Sequence, residues 1–71
     1  MFDFSKLRGR IVEKYKTRAA FAAAMGMSTP ALSDRLNGKI YFKMDEITEA
    51  AKLLEIPSEE IPVYFFTTEV R

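Results

Sequence analysis

The segment TRAAFAAAMGMSTPALSDRLNGK, residues 17–39, decides the fold of this chain. Thr17 can cap a first helix rich in alanine, the residue with the highest helix propensity, and Gly26 supplies its C-terminal stop. Two short helices that cross at a steep angle need a small residue where they approach and a glycine where the chain reverses. Ala22 and Gly26 stand in those two places. The segment therefore predicts a helix-turn-helix.

The second helix of this motif has its own start and stop signals. Ser28 or Thr29 can cap its start. Pro30 falls in the first turn, where a missing N–H is harmless. The helix is expected to end at Asn37 and Gly38. The residues expected to face the core from the two helices are Phe21, Ala22, Met25, Ala31, Leu32 and Leu36.

A further helix is predicted before the motif and a loop after it. The helix runs from Ser5, its expected cap, to Tyr15, with Leu7 and Ile11 repeating at helical spacing. The stretch KIYFK, residues 39–43, is predicted to be an extended loop from its β-branched and aromatic content.

A fourth helix and an extended tail are predicted after this loop. Asp45 and Glu46 fall in the first turn of the helix, where negative charge is favoured, and Pro57 ends it. A brief turn over residues 58–61 follows, and VYFFTTEV, residues 63–70, is predicted to be extended. The fold class expected is all-α: a compact bundle of four to five helices with an extended C-terminal tail.

Composition limits the class of protein. The 71 residues suffice for a single domain, residues 1–71, and the absence of cysteine excludes a disulfide framework and suits a reducing cytoplasm. No apolar run approaches the ~20 residues of a membrane span, and the N-terminus lacks the pattern of a secretory signal. An enzyme is not expected, because the chain has no histidine, no cysteine and no glycine-rich phosphate loop. No cofactor or metal is predicted; acidic residues at helix starts, such as Glu46 and Glu49, are typical of solvated surfaces.

Charge is segregated along the chain, although the net charge is only +1. Residues 1–43 hold nine Lys or Arg against three Asp or Glu, a net of +6, whereas residues 44–71 hold two against seven, a net of −5. The charges either solvate helix surfaces or give the basic half a face for a polyanion.

At residues 17–39 the sequence resembles the phage repressor and Cro family in its small-residue helix, its glycine turn and its ending Leu-Ser-x-x-Leu-Asn-Gly-Lys. EITEAAKLLEIP, residues 46–57, and SEEIPVYFFT, residues 58–67, are also similar to small Cro-like proteins of phages and prophages of low-GC Gram-positive bacteria. The resemblance thus covers nearly the whole chain. It implies the fold of a lambda-repressor-like DNA-binding domain and a cytoplasmic, Cro-like transcriptional regulator.

The resemblance implies that the helix after the glycine turn enters the major groove of double-stranded operator DNA. Asn37 can offer adenine a donor and an acceptor, and Asp34 can accept from cytosine. Arg18 and the loop cations are expected to contact phosphates. The expected DNA-binding residues are Arg18, Ser28, Thr29, Ser33, Asp34, Asn37, Lys39, Tyr41 and Lys43.

Some features of this helix leave alternatives open. Arg35 falls on its apolar side, so either the stem packs while the guanidinium reaches phosphate, or the helix is phased differently. Asp34 and Pro30 make the helix a poor DNA reader, and binding by this protein alone is expected to be weak. The alternative function is a helix-turn-helix modulator or antirepressor that acts mainly by binding a companion phage repressor.

The remaining predictions concern self-association and the positions of the aromatic side chains. A homodimer is expected from the family, because two reading helices can double a short half-site. Tyr64, Phe65 and Phe66 either form that contact as a paired strand or fold back, and folding back is favoured for at least one ring. The core is an alternative place for both Tyr41 and Phe42, and it is favoured for Phe42.

Overall fold

The computed structural model of the protein describes residues 2–69. Its helices follow the predicted order, joined by short connections. They are α1 (Ser5–Tyr15), α2 (Arg18–Met25), α3 (Thr29–Leu36), α4 (Met44–Leu53), a 3₁₀ turn (Ser58–Glu60) and α5 (Ile61–Phe65). The all-α bundle of four to five helices is confirmed.

The cap of α1 differs from the prediction. Ser5 is the first helical residue rather than the cap, and its backbone N–H and its hydroxyl both donate to Oδ1 of Asp3, at 2.9 and 2.6 Å. A carboxylate near a helix N-terminus satisfies a donor that has no partner within the helix. Asp3 therefore does what was expected of Ser5.

The turn between α2 and α3 has the predicted glycine geometry. Gly26 has φ +74°, its N–H donates to the Ala23 carbonyl at 3.0 Å, and the Met27 N–H donates to the Ala22 carbonyl at 3.0 Å. This pair of bonds is a Schellman motif, which closes a helix through a left-handed residue. Ser28 caps α3 by accepting from the Ala31 N–H at 3.2 Å. The predicted helix-turn-helix is confirmed as α2, this turn and α3.

The core lies where α1, α2, α3 and α4 meet. Leu7, Phe21, Leu32 and Leu54, one from each helix or its end, are fully buried, and Ala22 is buried beside them. The small Ala22 side chain lets α2 approach its neighbours closely. Burial of each large apolar side chain stabilises the fold by about 1.5–3 kcal/mol relative to leaving it exposed.

The tail predicted to be extended is helical in its first part. Residues 63–65 belong to α5. Pro62 does not prevent this helix, because it stands in the first turn, where its missing N–H leaves no helical bond unmade. Helix formation turns Tyr64 and Phe65 into the core, which confirms that rings fold back, whereas Phe66 stays half exposed. Residues 66–69 are not helical, and Val70 lies outside the described residues.

The two ends of the described chain meet. Phe2 and Thr68 form an isolated antiparallel bridge, and the Asp3 N–H donates to the Thr67 carbonyl at 2.7 Å. Edge-to-face and tilted ring contacts continue this closure into the core. Ring centroids lie 5.8 Å apart for Phe2 and Phe66, 6.2 Å for Phe2 and Phe4, 5.5 Å for Phe4 and Phe42, and 5.3 Å for Phe42 and Phe65. Phe42 is thus packed against the core, as predicted.

An ion pair joins α3 to α4. Nε and Nη2 of Arg35 donate to the two carboxylate oxygens of Glu46 at 2.8 and 3.0 Å, and Nη1 donates to the Ala31 carbonyl at 2.8 Å. Only 12% of the Arg35 side chain and 16% of the Glu46 side chain are exposed. The predicted packing of the Arg35 stem is confirmed by its burial, whereas the guanidinium, expected to reach phosphate, is held by a carboxylate of the same chain.

No helix within residues 2–69 is long and apolar enough to cross a membrane.

Two glycines should respond oppositely to alanine. Gly9 lies in the middle of α1 with open space around its Cβ position, so we expect Gly9→Ala to raise the free energy of unfolding by about 0.5–1 kcal/mol. Gly26→Ala forces a Cβ into the left-handed region and should lower it by about 1–2 kcal/mol. Urea denaturation of both variants checks this, and a loss of stability in the Gly9 variant would contradict the assignment of Gly9 to a regular helix.

Removing one member of the ion pair should destabilise the fold. We expect Arg35→Met to lower the free energy of unfolding by about 3 kcal/mol, because it leaves the Glu46 carboxylate poorly solvated and without its cation. The double variant with Arg35→Met and Glu46→Gln should recover more than half of that loss, since the glutamine oxygen can still accept from the Lys43 N–H. Urea denaturation measures both values. A loss below about 1 kcal/mol in the single variant would place the pair among ordinary surface ion pairs.

Stability should also fall in acid. The Arg35 guanidinium lowers the pKa of Glu46 below its ordinary value of 4.5. The stabilisation is therefore complete above pH 4.5 and is lost as the pH falls from there through the lowered pKa. Urea midpoints measured across this range should have a shallower slope in Glu46→Gln than in the unaltered protein. Asp3 and Glu55, whose pKa values are lowered by Ser5 and Lys14, supply the remaining slope.

Candidate functional site

The residues predicted to contact DNA lie on three adjoining parts of the structure. Arg18 is the first residue of α2, four residues lie along α3 and its cap, and the other four lie in the loop of residues 37–43. Nη1 of Arg18 donates to Oγ of Ser33 at 3.2 Å, so the start of α2 and α3 meet. The structure thus brings Arg18 and Ser33 into contact, and the loop residues follow directly after α3.

Several of these polar groups are used within the chain. The hydroxyl of Ser28 caps α3, and the hydroxyl of Ser33 accepts from Arg18. Oδ1 of Asn37 accepts from Nη2 of Arg8 at 3.1 Å. The Asp34 carbonyl accepts from the N–H groups of Lys39 and Ile40 at 2.9 and 3.3 Å. Three of the predicted side chains therefore already accept a hydrogen bond from the same chain.

The cations of this side are distributed unevenly. Arg35 is neutralised by Glu46, whereas Lys39 and Lys43 are exposed and have no ion pair within residues 2–69. Thr29 is also exposed and has no side-chain hydrogen bond to another part of the described chain. The positive charge is thus concentrated in the 37–43 loop rather than on α3.

Apolar side chains are exposed in and beside the same loop. Tyr41 and Met44 are each 80% exposed, and Ile40 is 44% exposed. A cavity of about 270 Å³ opens beside Ile40 and Tyr41, lined by these two residues and by Phe2, Phe4 and Gly38. We call the three exposed residues Ile40, Tyr41 and Met44, together with the cavity-lining rings of Phe2 and Phe4, the apolar loop surface. Exposed apolar patches of this kind mark surfaces that bind a partner.

The loop that carries this surface is anchored at both ends. At its start, Nη2 of Arg8 donates to the Leu36 carbonyl at 2.7 Å. At its end, the Lys43 N–H donates to Oε1 of Glu46 at 2.9 Å, and the same carboxylate holds Arg35. The exposure of Ile40 and Tyr41 is therefore a feature of an ordered loop.

Sequence reasoning assigned Tyr41 to phosphate contact and gave no binding role to Ile40 or Met44. Their exposure could have been predicted, because Ile40 and Tyr41 lie between α3 and α4 and belong to the apolar stripe of neither helix. Apolar residues without a stripe to complete are candidates for exposure.

Metal chemistry has no visible basis here. Among the residues that the structure describes, no three His, Cys, Asp or Glu side chains are grouped so that they could hold a metal ion.

Comparison with known proteins identifies both a family and a solved relative. A family model described as "Protein of unknown function (DUF739)" matches residues 1–68. No curated protein matches the chain. The chain is similar to the solution structure of the modulator of repression (MOR) of the temperate bacteriophage TP901-1 from Lactococcus lactis. The two are 44% identical over 99% of this chain and 95% of that one, with a TM-score of 0.83.

This likeness corrects the function predicted from the sequence. A Cro-like regulator that acts by binding operator DNA was the main interpretation, and it is wrong, because the solved relative is named for modulating repression. The alternative interpretation, a modulator that acts on a repressor, is the one that the comparison favours.

Proposed function

The chain belongs to the DUF739 family, and we propose that it is a phage or prophage modulator of repression that acts by binding a companion repressor protein. The observation that carries this proposal is the 44% identity to a modulator of repression over 99% of the chain. At that identity and coverage, the two proteins share the whole domain rather than a common motif. In this proposal the protein acts as a regulator in the host cytoplasm and has no catalytic activity.

The apolar loop surface supports a protein partner. Specific protein interfaces are enriched in aromatic residues and methionine at their centre, with charged residues at the rim. Tyr41 and Met44 supply the first type, and Lys39 and Lys43 stand beside them in sequence to supply the second. The cavity of about 270 Å³ is large enough to accept one apolar side chain of the repressor.

The chemistry of α3 supports the same partner. A helix that reads bases needs free side-chain donors and acceptors directed at the groove. The hydroxyl oxygens of Ser28 and Ser33 and the carbonyl oxygen of Asn37 already accept bonds from the same chain, and the guanidinium of Arg35, the basic residue of α3, is neutralised by Glu46. In this proposal the helix-turn-helix is a scaffold that presents the 37–43 loop.

In this proposal the likeness to the Cro and repressor family is a likeness of fold and not of function. We propose that the chain descends from that helix-turn-helix family and keeps its scaffold for protein binding. The homodimer expected from the sequence stays a prediction.

Binding to the repressor encoded by the same phage genome tests the proposal. Isothermal titration calorimetry should detect a saturable complex of the two purified proteins. Tyr41→Ala should weaken it at least tenfold, because truncation of a central tyrosine typically costs about 2 kcal/mol. The thermal midpoint of this variant should stay close to that of the unaltered protein, since Tyr41 is 80% exposed.

Val63→Ala is the matched control, because Val63 is an exposed apolar residue on α5, outside the apolar loop surface. Its affinity for the repressor should be unchanged. No complex with the unaltered protein would overturn the proposed function, and equal affinity in the Tyr41 and Val63 variants would overturn the assigned surface. Tight, sequence-specific operator binding by this protein alone would also refute the proposal.

A further inference from the structure

A second, smaller cavity opens between α1, α2 and α3. Its volume is about 50 Å³, and it is lined by Arg8, Ile11, Val12, Arg18 and Leu36. We call these five residues the arginine pocket. The cavity is much smaller than the one beside Ile40 and Tyr41, and a small group such as a carboxylate or a methyl group suits it best.

The two arginines of this pocket lack acidic partners. Arg10 pairs with Glu13 at 2.7 Å and Arg35 pairs with Glu46 at 2.8 Å. Arg8 and Arg18 form no ion pair with any residue of the described range 2–69. Both contact neutral oxygens only: the Leu36 carbonyl and Asn37 for Arg8, and the Ser33 hydroxyl for Arg18.

Asp3 and Glu13 each lie five residues from Arg8 in the sequence. Glu13 pairs with Arg10, and Asp3, whose pKa is lowered mainly by its bonds from Ser5 and further by the Arg8 charge, forms no ion pair with Arg8. Oδ1 of Asp3 accepts from the N–H and the hydroxyl of Ser5. Each guanidinium has five N–H donors, and the contacts above use one nitrogen of each. Arg8 and Arg18 therefore keep free donors beside the cavity.

The pocket also has an apolar part. Val12 is 57% exposed on α1, although the neighbouring Ile11 and Leu36 are buried. Val12 follows Arg8 by one helical turn, so the two side chains lie on the same face of α1. A ligand for this pocket must therefore combine negative charge with an apolar group.

We propose that the arginine pocket binds an acidic segment of the companion repressor, in which an Asp or Glu carboxylate contacts Arg8 and Arg18 and an adjacent apolar side chain covers Val12. This inference rests on the proposed function for the identity of the partner. A protein segment can supply the carboxylate and the apolar side chain from adjacent residues, which is the combination that Arg8, Arg18 and Val12 present.

The pocket adjoins the apolar loop surface. Arg8 contacts Leu36 and Asn37, the residues from which the 37–43 loop departs. One partner can therefore place an apolar anchor in the larger cavity and a carboxylate in the smaller one.

The test of this proposal is whether the repressor binds more weakly when the positive charge of Arg18 is removed. Arg18→Gln should weaken binding of the repressor about tenfold in calorimetry and reduce its dependence on salt, whereas Arg18→Lys should weaken it only a few-fold. Lys52→Gln is the matched control, because Lys52 is an exposed cation on α4. If the repressor binds and the Arg18→Gln and Lys52→Gln variants have equal affinities, the arginine pocket is excluded while the proposed function stands.

A second measurement does not need the repressor. An acetylated, amidated pentapeptide with Leu flanked by two Glu on each side should shift the NMR signals of the Val12 methyls and the Arg18 Nε–H. The same peptide with Gln in place of Glu should not. Equal shifts with the Gln peptide, or larger shifts of the same signals with duplex DNA at matched charge concentration, would overturn the inference. Peptide binding without repressor binding would support the pocket and reject the proposed partner.

Discussion

The ion pair between Arg35 and Glu46 sets the arrangement on which the candidate site depends. It joins the last turn of α3 to the first turn of α4, and the chain between them must close a loop of fixed span. The Glu46 carboxylate also accepts from the Lys43 N–H, so the end of the loop is bound to the same group. A paired charge with little exposure is strongly held, because its separation would leave both ions poorly solvated.

This pairing also determines what α3 offers to a partner. A helix-turn-helix places one helix on the surface, and its function follows from the side chains on the outer face. Here the basic residue nearest the end of that helix is neutralised, and the hydroxyl and amide oxygens on its surface accept bonds from the same chain. The scaffold of a DNA-binding motif is therefore present, while the Arg35 charge and these oxygens are engaged within the chain.

The exposed chemistry lies beside α3, on the loop and on α1. Ile40, Tyr41 and Met44 present apolar surface, and Arg8 with Arg18 present charge without acidic partners in the described residues. Arg8 links the two, since it contacts Leu36 and Asn37 where the loop begins. Apolar anchors next to unpaired charge are a combination that gives a protein interface both affinity and register.

Local signals predicted the helices, because caps, glycine stops and apolar spacing act between neighbouring residues: the limits of α1, the turn at Gly26 and the burial of Phe21 and Leu32 follow from them. The same sequence led to a Cro-like regulator that binds operator DNA as the main prediction, which is wrong, and to a modulator that acts on a repressor as the alternative. Asp3 in place of Ser5 at the start of α1, and Pro62 in the first turn of α5, involve neighbouring residues that the prediction assigned differently. The tertiary structure was needed to establish that Arg35 meets Glu46, because this pair joins two helices and depends on burial that local signals do not encode. The exposure of Tyr41 belongs to the same class, since it is the packing of Phe42 against Phe4 and Phe65 that leaves its neighbour outside.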